Sequence, residues 1–267
     1  MPLVLEPILS HLPAWVLVLF RLTGVFLFAP MFGSVLVPRQ FKVFLALGLS
    51  FCVYPLLLTP GTPAAASLGA VIDGGLSFWS LMPVVAAELA IGLVIGYGAT
   101  LPLAGMQMGG QMIAQQLGLG LAEVINPGQE QSGVLSEMFY LVALVFFLLL
   151  NGHHVILRTL VESFNAVPLG AFRIDQSVMD LVLGMLASMF HLAIRVAAPL
   201  LCLVFLETVA MGFIARTVPQ MNILSVGFAV RILLGVGLLV LAAPVLIDVM
   251  RDFLQSDLTK LAQFFGG

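Results

Sequence analysis

The sequence predicts an all-α protein associated with a membrane, and three observations support this fold class. Of its 267 residues, 61% are hydrophobic and only 9% are charged, whereas an ordinary soluble domain has about 25% charged residues. The mean hydropathy is +1.16. The hydrophobic residues form six long runs, each a candidate helix. This composition disfavours a disordered chain, a nucleic-acid-binding protein and a water-exposed globular enzyme. The net charge of −3 adds little, because so few charges contribute to it.

The six apolar runs set the order of the predicted helices. We expect helices at about residues 12–29, 43–58, 81–103, 135–150, 178–206 and 228–247. Between them, the Pro/Gly/Ala-rich residues 59–75 predict a linker. The segments 104–134 and 151–177 are rich in turn-forming or polar residues, and the final residues 248–267 are amphipathic. The N-terminus lacks the basic start and the cleavage site of a signal peptide, so we expect the first run to be retained.

Several of these runs are poor membrane spans, because crossing a bilayer core takes about 20 apolar residues. The runs 43–58 and 135–150 contain only 16 residues each. Charged residues also lie within or at the start of the runs, and a charge at bilayer depth costs about 2.5–3.5 kcal/mol. The charges that we expect to be buried are Arg21, Glu88, Arg195 and Arg231.

Glu88 has two interpretations. A carboxylate inside a membrane is a candidate proton-relay group. Because buried charges are usually paired, the alternative is an ion pair with Arg21, Arg195 or Arg231, or a carboxyl group that stays neutral. The sequence favours pairing.

The distribution of basic residues does not define an orientation. With six alternating spans, one side would collect Arg158, Arg173, Arg251 and Lys260, and the other Arg39, Lys42 and Arg216. Cytoplasmic loops normally carry an excess of Lys and Arg. Either one span is misplaced, or the helices pack mainly against other subunits and do not each cross lipid.

No pattern in the sequence is typical of catalysis or metal binding. The motifs HExxH, GxxxxGK[ST] and GxSxG are absent, so we expect no catalytic residue, no metal site and no cofactor. His153 and His154 are adjacent and would point to different faces of a helix, which is typical of a loop or cap. Cys52 and Cys202 lie in apolar runs and are expected to be small buried hydrophobes.

The segment from Leu89 to Ala122 carries no charge and is unusually rich in Gly, Met and Gln. In a helix, glutamines spaced by four residues would form one row of amides. One interpretation is a neutral, deformable lining or plug of a pore, since Met side chains re-pack easily and Gly permits loops. The alternative is ordinary helix packing, in which Gln side chains form hydrogen bonds between helices. The candidate residues are Gly105, Met106, Gln107, Met108, Gly109, Gly110, Gln111, Met112, Gln115 and Gln116.

A second polar island lies at residues 207–228. The planar guanidinium of Arg216 could donate two hydrogen bonds to a carboxylate in a contact between subunits. Pro219 predicts the boundary before the last helix, and Gln220 or Asn222 could satisfy the first backbone donors of that helix. The alternative is a simple turn between two helices with a solvated arginine.

At this island the sequence resembles the FliR family, the R-type (also called T-type) subunits of the type III secretion export gate. The resemblance rests on several short motifs, which occur in order at the length typical of the family. They are Ala215-Arg216-Thr217-Val218-Pro219-Gln220-Met221-Asn222 with Val226-Gly227-Phe228, Phe20-Arg21-Leu22-Thr23-Gly24 with Ala29-Pro30, Gln116-Leu117-Gly118-Leu119 through Asn126-Pro127, and Asn151-Gly152-His153 with Ser163-Phe164 and Pro168.

The resemblance implies a core subunit of the flagellar export gate that is not an enzyme. Family members assemble with FliP-type and FliQ-type subunits into a helical cone whose helices are not conventional spans. A P-like unit would cover residues 1–177, a Q-like hairpin residues 178–267, and a channel plug about residues 105–133.

The resemblance also implies partners and a location. FlhB-type and FlhA-type export components, unfolded flagellar proteins as substrates and membrane lipid are the expected partners, without nucleic acid. The expected location is the flagellar basal body in the bacterial inner membrane. The rival interpretation is a standalone secondary transporter or ion channel, with Glu88 and an arginine in an ion path.

Overall fold

The computed structural model describes residues 2–33, 37–73, 78–119, 133–172, 175–217 and 223–266. These residues form eight α-helices and contain no strand. In chain order they are α1 (Pro2–Phe28), α2 (Arg39–Leu57), α3 (Pro63–Asp73), α4 (Phe78–Gln116), α5 (Val134–Leu149), α6 (Gly152–Ala166), α7 (Gln176–Thr217) and α8 (Ile223–Gly266). The predicted all-α fold class is confirmed.

Five of the described helices are long and apolar enough to cross a membrane. These candidate spans are Ser10–Phe28, Arg39–Leu57, Leu81–Gln116, Gln176–Thr217 and Ser225–Gly266. A sixth candidate is α5 together with α6, which meet at an angle of 64°. Alone, α5 has 16 residues, fewer than the roughly 20 that a bilayer core requires. The chain is therefore a helical membrane protein.

The chain divides into two compact units, and the first contains most of the N-terminal half. Unit 1 comprises Met1–Thr100, Phe147–Met185 and Ser256–Gly267. Within it, α1 packs on α2 and α3, and α3 packs on α6. The buried residues of α1 recur at helical spacing, as expected for a helix that turns one face toward a core. They include Ala14, Leu17, Val18, Arg21, Leu22 and Val25.

Unit 2 comprises Leu101–Phe146 and Leu186–Gln255. It contains the C-terminal part of α4, most of α5 and long stretches of α7 and α8. Its buried core includes Leu103 and Ile113 from α4, Ala193 from α7 and Met250 from α8. By contrast, only 6% of the residues are buried in an apolar stretch of 18 residues within the candidate span Ser225–Gly266 of α8. Unit 2 therefore has a core of its own, while α8 leaves most of its apolar surface uncovered.

The prediction of a linker at residues 59–75 is wrong in part, because α3 occupies Pro63–Asp73. The Thr62 hydroxyl oxygen accepts the backbone N–H of Ala65 at 3.2 Å, and Pro63 is the first helical residue. A threonine cap followed by proline and alanines favours the start of a helix. The Pro/Gly content of the stretch concealed this local signal.

The segment 151–177, which is rich in turn-forming or polar residues, also contains a helix, since α6 spans Gly152–Ala166. It is an amphipathic helix whose buried side chains include Ile156, Leu160 and Phe164, spaced four residues apart. Average hydropathy does not detect such a helix, because polar residues fill its other faces.

Two further expectations change in the structure. Cys52 and Cys202 are exposed in the chain by itself, because each lies on the outer face of an incompletely covered helix. The long helices also continue beyond the apolar runs, α4 to Gln116 and α7 to Thr217. The polar residues at their ends suit a helix surface as well as a loop.

The start of α7 is set by a local cap just outside the candidate span. The carboxylate of Asp175 accepts the Ser177 hydroxyl at 2.7 Å and the Val178 backbone N–H at 3.2 Å. These hydrogen bonds lower the pKa of the Asp175 carboxyl group, the Ser177 bond most strongly. The cap is therefore charged and intact at neutral pH.

Candidate functional site

In unit 1, glycines let α1 and α4 approach closely enough to bury a charged pair. A Cβ atom at Gly24 would lie 2.5 Å from the Leu89 carbonyl oxygen, and one at Gly92 would overlap the Arg21 carbonyl oxygen. Gly96 faces the backbone of Val25 in the same way. Small residues at this spacing are typical of close helix crossings in membranes. The crossing places Arg21 of α1 directly beside Glu88 of α4.

The guanidinium of Arg21 is fully buried and has several hydrogen-bond acceptors. Its Nε donates to Glu88 Oε2 at 2.6 Å. Its Nη1 donates to the carbonyl oxygen and the hydroxyl of Ser163, at 3.0 and 3.2 Å, and its Nη2 to the Val167 carbonyl oxygen at 3.0 Å. The Phe164 ring lies 4.2 Å from Cζ. Every terminal nitrogen of Arg21 thus has an acceptor.

The carboxylate of Glu88 is equally well satisfied. Its Oε2 accepts from Arg21, and its Oε1 accepts the backbone N–H of Gly170 at 3.0 Å. Both side chains have 0% exposure, so neither contacts water. A buried pair with complete hydrogen bonding ties α1, α4 and the end of α6 together. The structure supports the pairing interpretation of Glu88 and selects Arg21 among the three arginines considered.

A second ion pair, in unit 2, joins α7 to α8. Glu207 Oε2 accepts from Arg231 Nε and Nη2 at 3.1 and 3.0 Å. The carboxylate is buried, with 3% exposure, whereas the guanidinium is 31% exposed and also donates to the Thr208 hydroxyl. Arg231 therefore pairs with Glu207 and not with Glu88.

The other two arginines named from the sequence are exposed in the chain by itself. Arg195 Cζ lies 5.8 Å from the centre of the Phe253 ring. Arg216 lies in the last turn of α7, where a positive charge is favourable at the helix C-terminus. Within the ranges that the structure describes, neither arginine forms an ion pair. Burial of Arg195 stays a prediction about a larger assembly.

The Gly/Met/Gln segment is helical through Gln116, and its glycines face inward. A Cβ atom at Gly105 would lie 2.8 Å from the Met189 carbonyl oxygen. At Gly109 it would lie 3.0 Å from Val196, and at Gly110 3.0 Å from Phe139. Met106 is buried beside them. For these four residues the structure supports the helix-packing interpretation, because they hold α4 against α7 and α5.

The glutamines and two methionines of the same helix face outward. Gln111, Gln115 and Gln116 are exposed, and Gln107 is half-buried. Met108 and Met112, spaced by one helical turn, are also half-buried. The segment thus has an inner face of glycine and an outer face of uncharged amides and thioethers.

The end of α4 is encoded locally. Gly118 has a φ of +77°, and its N–H donates to the Gln115 carbonyl oxygen while the Leu119 N–H donates to that of Ala114. This is a Schellman motif, which favours glycine at the left-handed position. Leu117 is buried against Gly235 of α8. Residues 120–132 of the predicted plug lie outside the described residues, as do Pro219, Gln220 and Asn222.

The sequence interpretation missed Ser163, Val167 and Gly170 as partners of the buried pair, and Glu207 as the partner of Arg231. Only Glu207 left a signal, since it is the only charged residue between Arg195 and Arg216 of α7. Apart from the Ser163 hydroxyl, the other three residues contribute backbone groups, whose positions composition does not encode. Among the described residues no group of three or more His, Cys, Asp or Glu side chains could hold a metal ion.

Comparison with known proteins identifies one family. A family model described as "Bacterial export proteins, family 1" matches residues 12–256. Flagellar biosynthetic protein FliR of Aquifex aeolicus (strain VF5) is 28% identical over 246 residues, which cover 92% of this chain and 91% of the relative.

Two further relatives carry the same printed name. FliR of Bacillus subtilis (strain 168) is 29% identical over 252 residues, covering 93% of both chains. FliR of Escherichia coli (strain K12) is 27% identical over 258 residues, covering 96% of this chain and 94% of the relative. The similarity extends over nearly the whole length of each relative.

Proposed function

The chain belongs to the family of bacterial export proteins, family 1, and we propose that the outer face of α4 in this member lines a channel for unfolded flagellar proteins. The protein is a subunit of the flagellar type III export gate. The observation that carries this function is the match over residues 12–256, together with flagellar relatives that align over more than nine-tenths of the chain.

The proposed lining is the outward stripe of Gln107, Gln111 and Gln115 with Met108 and Met112. These side chains carry no charge, and their amides and thioethers adapt to many substrate sequences. A neutral lining offers little stabilisation to small ions. Residues 120–132, which follow the end of α4, would complete the plug. The buried glycines and Met106 serve the same element by fixing α4 in place.

The proposed partners are FliP-type and FliQ-type subunits in a cone-shaped assembly, with FlhB-type and FlhA-type components acting on the same gate. The P-like unit at 1–177 and the Q-like hairpin at 178–267 are part of this proposal. We place the assembly in the bacterial inner membrane at the flagellar basal body. The chain would not be an enzyme, so ATP hydrolysis and proton coupling would belong to other components.

A standalone transporter or ion channel is not favoured. In such a protein the Glu88 carboxylate would have to face a conducting pathway and bind and release protons or ions there. Here Arg21 and the Gly170 N–H occupy both carboxylate oxygens, and the pair has no exposed surface.

Deletion of residues 120–132 tests the plug. A deletion reaching back to Gly105 would also remove glycines that α5 and α7 pack against, so the shorter deletion is the sharper test. We expect the gate complex to assemble and the membrane to become permeable to small solutes, measured as uptake of a dye that is normally excluded. An assembled complex that remains tight would remove these residues from the plug.

Replacing Gln107, Gln111 and Gln115 together by Glu tests the lining. We expect flagellar export, measured as secreted flagellin and motility, to fall because a charged stripe selects against many substrate segments, while assembly is unchanged. Gln40→Glu, on an exposed residue of α2, is the matched control. Normal export by an assembled triple variant would contradict the lining assignment.

Co-purification tests the partners. A tagged copy of the chain should retain untagged FliP-type and FliQ-type subunits in mild detergent, and Arg216→Ala should reduce that recovery more than it changes permeability. A chain that purifies alone, stays monodisperse and transports ions in liposomes would instead establish the transporter interpretation.

A further inference from the structure

Unit 2 contains an apolar pocket that the proposed export function does not use. It lies among α4, α5 and α8 and has a cavity volume of about 180 Å³. Its lining consists almost entirely of carbon and thioether groups, including Met106, Met138, Phe139, Leu239, Ala243 and Met250. An occupant with buried polar groups would lose hydrogen bonds there. The pocket therefore suits a flexible hydrocarbon, to which methionine side chains adapt well.

The pocket has the length of one bilayer leaflet. Along α8 its lining extends from Leu239 to Met250, which corresponds to roughly 16 Å at the rise of an α-helix. Half of a hydrocarbon core is about 15 Å. Three lining residues are also partly exposed, Met138 by 48% and both Val142 and Ile247 by 37%. The pocket is thus open at the surface of helices that are apolar enough to cross a membrane.

A polar group marks one end of the pocket. Leu239, Ala243 and Ile247 line it at four-residue spacing, and the next position in this row of α8 is Arg251. Arg251 is exposed and forms no ion pair with any residue that the structure describes. Asp248 and Asp252 are exposed on the same turn. A guanidinium with two carboxylates on the neighbouring flank of the same turn complements a headgroup that carries both a phosphate and an ammonium.

We propose that this pocket binds one acyl chain of a zwitterionic phospholipid whose headgroup lies at the end of the pocket, with its phosphate on Arg251 and its ammonium beside Asp248 and Asp252. The lipid would fill a gap between α5 and α8 that protein side chains leave open. This inference rests on the membrane location of the chain and is independent of the plug and the lining.

The first test measures lipid that remains on the gate complex during purification from bacterial membranes in mild detergent. Native mass spectrometry and lipid extraction should find one phosphatidylethanolamine per copy of this chain, in preference to phosphatidylglycerol. Ala243→Phe should abolish retention by filling the pocket. Arg251→Gln should reduce it about tenfold, by removing a charge-assisted hydrogen bond.

Matched controls lie outside the pocket. Leu241→Phe changes a residue of the same helix that is 79% exposed. Arg39→Gln removes an exposed arginine of α2. Both variants should retain the lipid. Absence of phospholipid from the wild-type complex, retention by a folded Ala243→Phe variant, or a preference for phosphatidylglycerol would each overturn the proposal.

A photoreactive residue at Met138 identifies the occupant even if Ala243→Phe fails to fold. The proposal requires crosslinks to phospholipid, detected as a mass increase of one lipid. Crosslinks to another protein subunit without lipid would show that a partner's side chains fill the pocket, and the proposal would be wrong.

Discussion

At the scale of single residues, Arg21 holds together three separate parts of unit 1. Its nitrogens contact Glu88 in α4, Ser163 in α6 and the Val167 carbonyl beyond the end of α6. Burying an ion pair gives little net stability, but removing one partner leaves an uncompensated charge. The pair therefore acts mainly by specifying which groups meet, and its loss is severe only when one member remains.

We expect Arg21→Met to destabilise the chain by about 3–5 kcal/mol, because Glu88 then keeps only the Gly170 N–H. The double variant Arg21→Met with Glu88→Met should recover much of that loss, since no charge remains buried. The measurement is thermal unfolding of the purified gate complex in detergent.

The control for Arg21 is Arg158→Met. Arg158 forms a surface pair with Glu162 at 2.7 Å, and its side chain is 81% exposed. Exposed pairs of this kind contribute little, so its unfolding midpoint should match the wild type. Equal midpoints for Arg21→Met and Arg158→Met would show that the buried pair is not a structural requirement.

At the scale of helices, the crossing of α1 and α4 decides the geometry of the pair. Gly24, Gly92 and Gly96 remove the side chains that would hold the two backbones apart. Thr100 adds a hydrogen bond from its hydroxyl to the Phe28 carbonyl oxygen at the end of α1. Glycine lowers intrinsic helix propensity by about 1 kcal/mol relative to alanine, so its use here reflects packing.

We expect Gly92→Ala to destabilise the chain by about 1–3 kcal/mol, because the new methyl group would overlap the Arg21 carbonyl oxygen. Gly48→Ala is the control, since a Cβ atom at Gly48 meets nothing within 4 Å and alanine favours the helix. Unfolding midpoints of the two variants should therefore move in opposite directions. A Gly92→Ala variant as stable as the wild type would mean that the helices can separate without cost.

At the scale of the whole molecule, the chain exposes far more apolar side chain than a soluble monomer tolerates. Exposed residues of α8 include Leu233, Val236, Val240, Leu241 and Val245. Phe205, Leu206 and Phe213 of α7 are exposed as well. This surface requires lipid or other subunits around it.

Val240→Lys tests that requirement. Val240 is 69% exposed, and a lysine in an apolar surrounding costs about 2.5–3.5 kcal/mol on insertion scales. We expect less of the chain in the assembled membrane complex, measured on native gels, whereas Gln40→Lys at an exposed polar position should have no effect. Unchanged assembly of Val240→Lys would place this face of α8 in water.

Several features were predictable from the sequence because they depend on composition or on neighbouring residues. The low charge content predicts a helical membrane protein. The Arg216–Asn222 motif resembles the family that the comparison then identified. Local capping explains the start of α3 at Thr62 and the end of α4 at Gly118, although the first of these signals was overlooked.

Other features were decided by tertiary structure. Glu88 had three candidate arginines in the sequence, and only the crossing of α1 and α4 brings Arg21, 67 positions away, to 2.6 Å. The Gly/Met/Gln segment divides into a buried glycine face and an exposed amide face because α5 and α7 cover one side of α4. Hydropathy describes which residues avoid water, whereas pairing and burial depend on which surfaces meet, and long-range helix packing alone determines that.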